Sequence, residues 1–271
     1  MKIVLSDLNQ NPETKIPDFL KNSLSEIFPL AEIVIVQSPN NLRKAIVDAD
    51  YLLGWAAPSV FLKKAQKLKS VFLFSSQIPD SYSKLPFEIR NITGLNAEYV
   101  VSYILEVLSN HTYKNTLIIG QGAIGKLLKS KLPKKNLRVI TRTPTDELET
   151  DYKDFQLEVS KADVIIPCVS LNSDTKCLFE NSNFFKFLKE DVLVINTARG
   201  ELFEEKDLLH FFKTNPKAFY HTDVTVPEPY PKDGALRSLS NIKITNHVAG
   251  FGTGIWQKIN EQIKNLAQEW K

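Results

Sequence analysis

At 271 residues and 30.8 kDa the chain is too long for one small module and long enough for two ordinary domains. Its 43% hydrophobic and 24% charged residues exclude disordered, collagen-like and coiled-coil readings. A net charge of +3, with no long basic run, is too weak a field for nucleic acid and points to a small-molecule partner. No apolar stretch approaches the roughly 20 residues of a membrane helix, and the opening MKIVLSDL reads as a strand without a signal peptide's layout. The expectation is a cytoplasmic protein with no membrane partner. Cys168 and Cys177 are the only cysteines and form no CxxC, so they read as core thiols, with no disulfide framework and no metal site.

Short β-branched runs alternate with helical-period segments along the whole chain, the pattern of an α/β protein with parallel sheets. In the first third the strands are expected at Lys2 to Ser6, Glu32 to Gln37, Tyr51 to Gly54, Val71 to Ser75 and Ile89 to Thr93. Helices are expected near Phe19 to Phe28, Leu42 to Ala49 and Val60 to Lys69. Asn96 to Asn110 carries Val100, Val101, Ile104, Leu105 and Leu108 on one stripe and reads as an interdomain helix. A second strand series starts at Thr116 and continues through Leu137 to Thr141, Asp163 to Cys168, Val192 to Asn196, Ala218 to Asp223 and Ile242 to Thr245. Gly254 to Lys271 has a second amphipathic stripe and is placed back on the first domain, which makes that domain discontinuous. Pro227, Pro229 and Pro231 mark one stiff loop after a strand.

Leu117-Ile118-Ile119 leads into Gly120-Gln121-Gly122-Ala123-Ile124-Gly125, a strand followed by G-x-G-x-x-G and a helix. Gly120 allows the tight turn, Gly122 lets the backbone approach a pyrophosphate, and Gly125 lets helix and strand pack closely. This is a dinucleotide-binding loop, with an ordinary glycine-rich turn as the bland alternative. NAD-selective sites place an acid near the end of the second strand, but that place reads Thr141-Arg142-Thr143. A guanidinium flanked by hydroxyls suits a 2′-phosphate, so NADP(H) is the preferred cofactor and NAD a possible one. The bland alternative is a solvated arginine on a strand-end loop.

Three polar residues follow strands of the second series, where an open α/β sheet has its ligand crevice. Arg199 is suited to hold a carboxylate bidentately. Glu228 lies in the proline-rich loop after Asp223, and His247 follows the last strand; a histidine paired with a carboxylate is a general acid/base near neutrality. Taken singly, Arg199 also reads as a helix cap, Glu228 as a solvated acid and His247 as a core histidine. Their order after a dinucleotide loop favours the functional reading.

In these segments the chain resembles the D-isomer-specific 2-hydroxyacid dehydrogenases, a family that includes glyoxylate/hydroxypyruvate reductases and phosphoglycerate dehydrogenases. The likeness covers nearly the whole chain. It rests on Gly94-Leu95-Asn96-Ala97, Gly120 to Gly125, Asp163 to Thr175, Asn196-Thr197-Ala198-Arg199-Gly200, Asp223 to Pro229, and Asn246-His247-Val248-Ala249-Gly250. The resemblance implies two doubly wound parallel-sheet domains, a Rossmann-type cofactor domain (94–250) inserted in a flavodoxin-like substrate domain (1–93 and 251–271). It assigns Arg199 to the substrate carboxylate and carbonyl, Glu228 to the imidazole, and His247 to proton transfer. It also sets Cys168, Val169, Ser170, Thr197, Ala198, Asp223, His247 and Gly250 along the cofactor, Asp223 on the nicotinamide side. The implied reaction interconverts a small 2-oxo acid and its D-2-hydroxy acid, with glyoxylate or hydroxypyruvate as first choices.

The chain departs from the family in three places. The turn whose amides help hold the substrate carboxylate reads Ser75-Ser76-Gln77-Ile78-Pro79, and Pro79 removes one donor. The stretch from Asn96 to Gly120 lacks room for the family's helical dimer arm, so a homodimer is possible but not implied. Ser170-Leu171-Asn172 replaces the usual Pro-Leu-Thr, and Asn172 keeps a hydrogen-bonding side chain. His111, His210 and His221 read as structural or surface residues, while Trp55, after a strand of the first domain, reads as a packing aromatic with lining of the cleft as the alternative. Rival readings are a dehydrogenase for a larger or phosphorylated 2-hydroxy acid and an NAD(P)-sensing, corepressor-like binding protein on the same fold.

Overall fold

Each strand-like run feeds a turn and a crossover, and the outcome is two all-parallel sheets. The computed structural model describes residues 1–9, 11–76, 78–180 and 184–270. It divides into two compact units, Met1–Asn96 with Phe251–Lys271, and Ala97–Gly250.

In the first unit the elements are β1 (Lys2–Ser6), α1 (Asp18–Ile27), β2 (Glu32–Val36), α2 (Pro39–Ala45), β3 (Tyr51–Gly54), α3 (Ser59–Leu62), β4 (Ser70–Leu73) and β5 (Glu88–Asn91). The sheet order is β2-β1-β3-β4-β5. β3 and β4 are buried at every position, as expected of parallel strands covered on both faces. One face packs Val4, Leu52 and Val71 against Leu42 and Ile46. The closing helix Ile255–Glu269 packs against α1, and Trp270 beyond it stacks on Tyr51 with ring centroids 4.0 Å apart.

Two helices differ from the expected spans. α2 starts three residues before the expected Leu42, because Ser38 caps it, accepting from the Asn41 amide at 3.3 Å, and Pro39 fixes its first turn. The expected Val60 to Lys69 helix is only the single turn α3: past Leu62 the Gln66 amide donates to Val47 O at 3.0 Å, a long-range bond that draws the chain out of the helix. The fifth strand starts one residue earlier than expected, at Glu88, and ends two residues earlier, at Asn91, whose side chain accepts from the Thr93 amide in a turn.

The second unit contains α4 (Ala97–Ser109), β6 (Thr116–Ile119), α5 (Ala123–Lys131), β7 (Leu137–Ile140), β8 (Glu149–Thr150), α6 (Phe155–Lys161), β9 (Val164–Pro167), α7 (Ser173–Glu180), β10 (Leu193–Asn196), α8 (Glu205–Thr214), β11 (Phe219–Thr222) and β12 (Ile242–Ile244). Its sheet order is β12-β11-β10-β9-β6-β7-β8. The order reverses between β6 and β9, so the loops after those two strands flank a topological switch point, where open α/β sheets bind ligands. On one face Val101, Ile104 and Leu108 of α4 and Leu128 of α5 pack with Ile118, Val139 and Ile195. The other face is aromatic: the Phe179 ring lies 5.7 Å from Phe155 and 5.3 Å from Phe184. The expected α/β class with two parallel sheets is therefore present. Among the described residues no helix is long and apolar enough to cross a membrane.

Candidate active site

The glycine loop leaves β6 with Gly120 at φ +105, a conformation open to glycine, and a Cβ there would lie 2.6 Å from Cys168 O. A Cβ on Gly125 would lie 2.2 Å from Gly120 O, so this glycine sets how closely α5 approaches the strand. Gly122 is different, because a Cβ there would meet nothing within 4 Å. Bare backbone at Gly122, with exposed Ala123 opening α5, leaves room and free amides for an anion, and Ile124 follows half-buried. The observed loop fits a dinucleotide pyrophosphate.

Beside it, the residues after β7 diverge in environment. Thr141 is buried and its amide donates to Thr150 O at 3.0 Å, while Arg142 and Thr143 are exposed. The Arg142 guanidinium donates to Asp174 Oδ2 at 3.0 Å. A buried acid, Glu149, was missed by sequence reasoning because it sits among the polar residues of TDELET and reads there as solvated. Its carboxylate accepts from the Gln121 amide group, from Lys129 of α5, and from the Thr145 amide at 2.7 Å. Burial pushes this carboxyl up, but the hydrogen bonds from Lys129, Thr145 and Gln121 outweigh it and bring it down to about 2. Glu149 therefore ties together the glycine loop, α5 and the segment that carries Arg142.

On the other side of the switch point, the Cys168 amide donates to Ile119 O at 2.7 Å, Val169 is half-buried and Ser170 is exposed. Burial raises the Cys168 thiol to about 12, so it is inert as a thiolate near neutrality. Asn172 is occupied in capping α7, accepting from the Thr175 amide at 3.0 Å.

Arg199, Glu228 and His247 come together from the ends of β10, β11 and β12. Buried Asn196 frames the first loop, donating to Arg199 O at 2.9 Å and accepting from the Ala198 amide at 3.0 Å; Thr197 between them is half-buried. Gly200 then lets two loops touch, for its Cβ would lie 2.5 Å from the Thr225 carbonyl carbon. Thr225 in turn donates its amide to Glu228 Oε1 at 3.0 Å. Arg199 is half-buried; burial lowers its guanidinium and the charges of Glu201 and Glu228 push back, so it stays a cation.

His247 sits at φ +56, a left-handed conformation for a non-glycine residue. Asp223 explains how. It is buried, and its carboxylate accepts from Thr245 Oγ1 at 2.5 Å and from the amides of Val248 (2.9 Å) and Ala249 (2.8 Å), while its carbonyl accepts from the His247 amide at 2.8 Å. Burial raises the Asp223 carboxyl against these donors. Buried Gly250 ends the loop. Held this way, His247 Nδ1 lies 2.9 Å from Glu228 Oε2. The hydrogen bond to Glu228 raises the imidazole above its usual range, against burial, with the charges of Glu228 and Asp223 adding to it. Burial pushes Glu228 up, and the bond from His247 outweighs it and leaves the carboxyl lowered. With Nδ1 committed to Glu228, Nε2 is the nitrogen through which the ring exchanges a proton.

The remaining expected residues belong to other segments of the chain. Ser75, half-buried, and Ser76 and Ile78, exposed, follow β4 in the first unit, where Ser76 O accepts from Asn91 Nδ2 at 2.7 Å. Gln77 and the Cys177 side chain lie outside the described residues. Trp55 packs its ring 5.5 Å from Phe251 and 6.5 Å from Trp256. His111 and His221 lie with their Nε2 atoms 3.3 Å apart, and burial lowers His221 to about 4. Among the described residues no three His, Cys, Asp or Glu side chains are placed to hold a metal ion.

Comparison with known proteins places this arrangement. The family model for the D-isomer specific 2-hydroxyacid dehydrogenase, NAD binding domain, matches residues 101–249. Mitochondrial formate dehydrogenase of Solanum tuberosum is 30% identical over 164 residues, which are 58% of this chain and 43% of that protein. Glyoxylate reductase/hydroxypyruvate reductase of Homo sapiens is 30% identical over 138 residues, 48% of this chain and 42% of that protein. The chain thus matches under half the length of these relatives. In fold it is similar to NAD-dependent formate dehydrogenase from Staphylococcus aureus in complex with NAD, with a TM-score of 0.79 at 20% identity, over 100% of this chain and 95% of that one. Since the match spans more than half of its residues, and runs from α4 through the loop carrying His247, the chain belongs to the D-isomer-specific 2-hydroxyacid dehydrogenase family.

Proposed function

We propose that this protein is an oxidoreductase that interconverts a small 2-oxo acid and its D-2-hydroxy acid, in the manner of a glyoxylate/hydroxypyruvate reductase, and that it prefers NADP(H). The observation that carries the reading is the Glu228–His247 pair at 2.9 Å, at the carboxyl ends of the same parallel sheet as Arg199 and the glycine loop. Gly120, Gly122 and the first amides of α5 would hold the pyrophosphate, and Arg142 with Thr141 and Thr143 the adenosine ribose. When bound, the nicotinamide supplies hydride to the 2-oxo carbon or takes it back from the 2-hydroxy carbon.

The residues of the chain do the rest. Arg199 binds the carboxylate through its donor fork and offsets negative charge as it grows on the carbonyl oxygen. Glu228 keeps His247 protonated near neutrality, and His247 Nε2 delivers the proton that turns that oxygen into a hydroxyl. In oxidation the neutral ring takes the proton, and Glu228 stabilises the imidazolium. Asp223 is a positioning residue that holds the histidine's backbone; a nicotinamide contact by its edge is part of the same proposal. Ser75, Ser76 and Ile78 of the first unit are proposed substrate contacts.

The test is NADPH oxidation followed at 340 nm against a panel of 2-oxo acids, with NADH in parallel and His247→Asn as control. Turnover with glyoxylate or hydroxypyruvate, lost in the variant, supports the proposal. Tight nucleotide binding without turnover on any acid would replace it with a sensing protein.

A further inference from the structure

Arg142 is the residue on which the NADP(H) preference rests, and it already has a partner. Its Nη2 lies 3.0 Å from Asp174 Oδ2, with side chains 61% and 76% exposed. Asp174 is not a wandering surface acid. It lies in the first turn of α7, whose start is fixed on both sides: Asn172 Oδ1 accepts from the Thr175 amide at 3.0 Å, and Thr175 Oγ1 donates to Ser170 O at 2.6 Å. Arg142 follows β7, where the ribose of a dinucleotide is read. The Arg142 charge is also felt by Tyr152, which is neutral near pH 7, and the carboxylate paired with the guanidinium is that of Asp174.

We propose that Asp174 sets the cofactor selectivity of this chain, by competing with a dinucleotide's 2′-phosphate for Arg142. The inference rests on the proposed NADP(H) reading and adds the residue that limits it. An ion pair this exposed contributes little to stability, so a phosphate can displace it. Displacement is not free of consequence, because the carboxylate and the phosphate would then share one guanidinium as like charges. Arg142 alone therefore overstates the preference for the phosphorylated cofactor, and the chain accepts both nucleotides with a modest bias. An unphosphorylated ribose brings a hydroxyl in place of the dianion and leaves the Arg142–Asp174 pair intact.

The test is binding rather than turnover. 2′,5′-ADP and 5′-AMP, which differ by the 2′-phosphate, are titrated calorimetrically into the full chain, with NADPH and NADH alongside. The variants are wild type, Asp174→Asn, Arg142→Ala and the double substitution, each at low and at high salt. Asp174→Asn is expected to tighten 2′,5′-ADP and NADPH by roughly three- to tenfold and leave 5′-AMP and NADH within about twofold. The gain should shrink at high salt, and it should fall to within about twofold on the Arg142→Ala background. If Arg142→Ala weakens 2′,5′-ADP while Asp174→Asn leaves it unchanged, the cofactor reading stands and the role of Asp174 is overturned. Equal tightening of both nucleotides, or the same gain without Arg142, also overturns it. If Arg142→Ala leaves 2′,5′-ADP unaffected, the cofactor reading falls and takes this inference with it.

Discussion

Replacing Glu149 by glutamine isolates one buried charge that holds three segments of the cofactor-loop region. The residue is 7% exposed, and its carboxyl is brought from 4.5 down to about 2 by Lys129, Thr145 and Gln121 against the cost of burial. A depressed folded-state pKa means that the stabilisation is complete above the unfolded value and declines as the pH falls from there toward 2. At about 1.36 kcal/mol per unit, that gap amounts to about 3 kcal/mol at pH 7. Only about 2 kcal/mol of it would remain at pH 3.5. Glutamine still accepts from the Thr145 amide but leaves the Lys129 ammonium with the half-exposed Asp146 in place of a buried counter-charge, so most of the gap should be lost. For a unit of this size that corresponds to a melting point lower by roughly 5–10 °C at pH 7. Scanning calorimetry of wild type and Glu149→Gln at both pH values reads the difference directly. A loss below about 1 kcal/mol at pH 7, or one that does not shrink on acidification, would refute the assignment of a stabilising buried carboxylate. The same variant should weaken dinucleotide binding, because Gln121 loses the charge that holds its side chain.

Three other outcomes follow from the loops around His247. Glu228→Gln removes the carboxylate that raises the imidazole, so the pH at which reductive kcat/KM declines should move down and activity at pH 8 should drop at least about tenfold; an unmoved limb would sink the pairing. Arg199→Lys replaces a fork by a point charge and should lower kcat/KM by about a hundredfold, shared between KM and kcat, whereas wild-type kinetics would show that no bidentate contact is made. Gly200→Ala puts a Cβ 2.5 Å from the Thr225 carbonyl carbon, and should cost roughly 1–3 kcal/mol in urea unfolding together with activity; an unperturbed variant would mean that the two loops are not held in contact.

Much of this arrangement can be read in the residues themselves. The strands Lys2–Ser6, Thr116–Ile119 and Leu193–Asn196 announce themselves as apolar runs because both faces of a parallel sheet are covered. The glycine loop, and the order Arg199, Glu228, His247, are legible because each needs a particular residue type at a strand end. What escapes the sequence depends on distant partners. β8 is two residues long and exists through pairing with Val139 and Ile140. α3 stops where a remote carbonyl takes the chain. Glu149 and Asp174 look like ordinary surface acids until the fold sets Lys129 and Arg142 beside them. The carboxylate that pairs with Arg142 comes from the first turn of α7, far along the chain from the end of β7.

The backbone at His247 constrains what can be engineered there. Only a few residue types tolerate a left-handed φ, asparagine and aspartate foremost among the non-glycines, so most substitutions add conformational strain to whatever chemistry they remove. A lysine or tyrosine introduced as an alternative proton donor would be judged on a distorted loop, and its failure would say little about proton transfer. Asparagine deletes the imidazole while keeping the backbone that the Asp223 clasp was built to hold. It is the substitution that separates the chemistry of this position from its geometry.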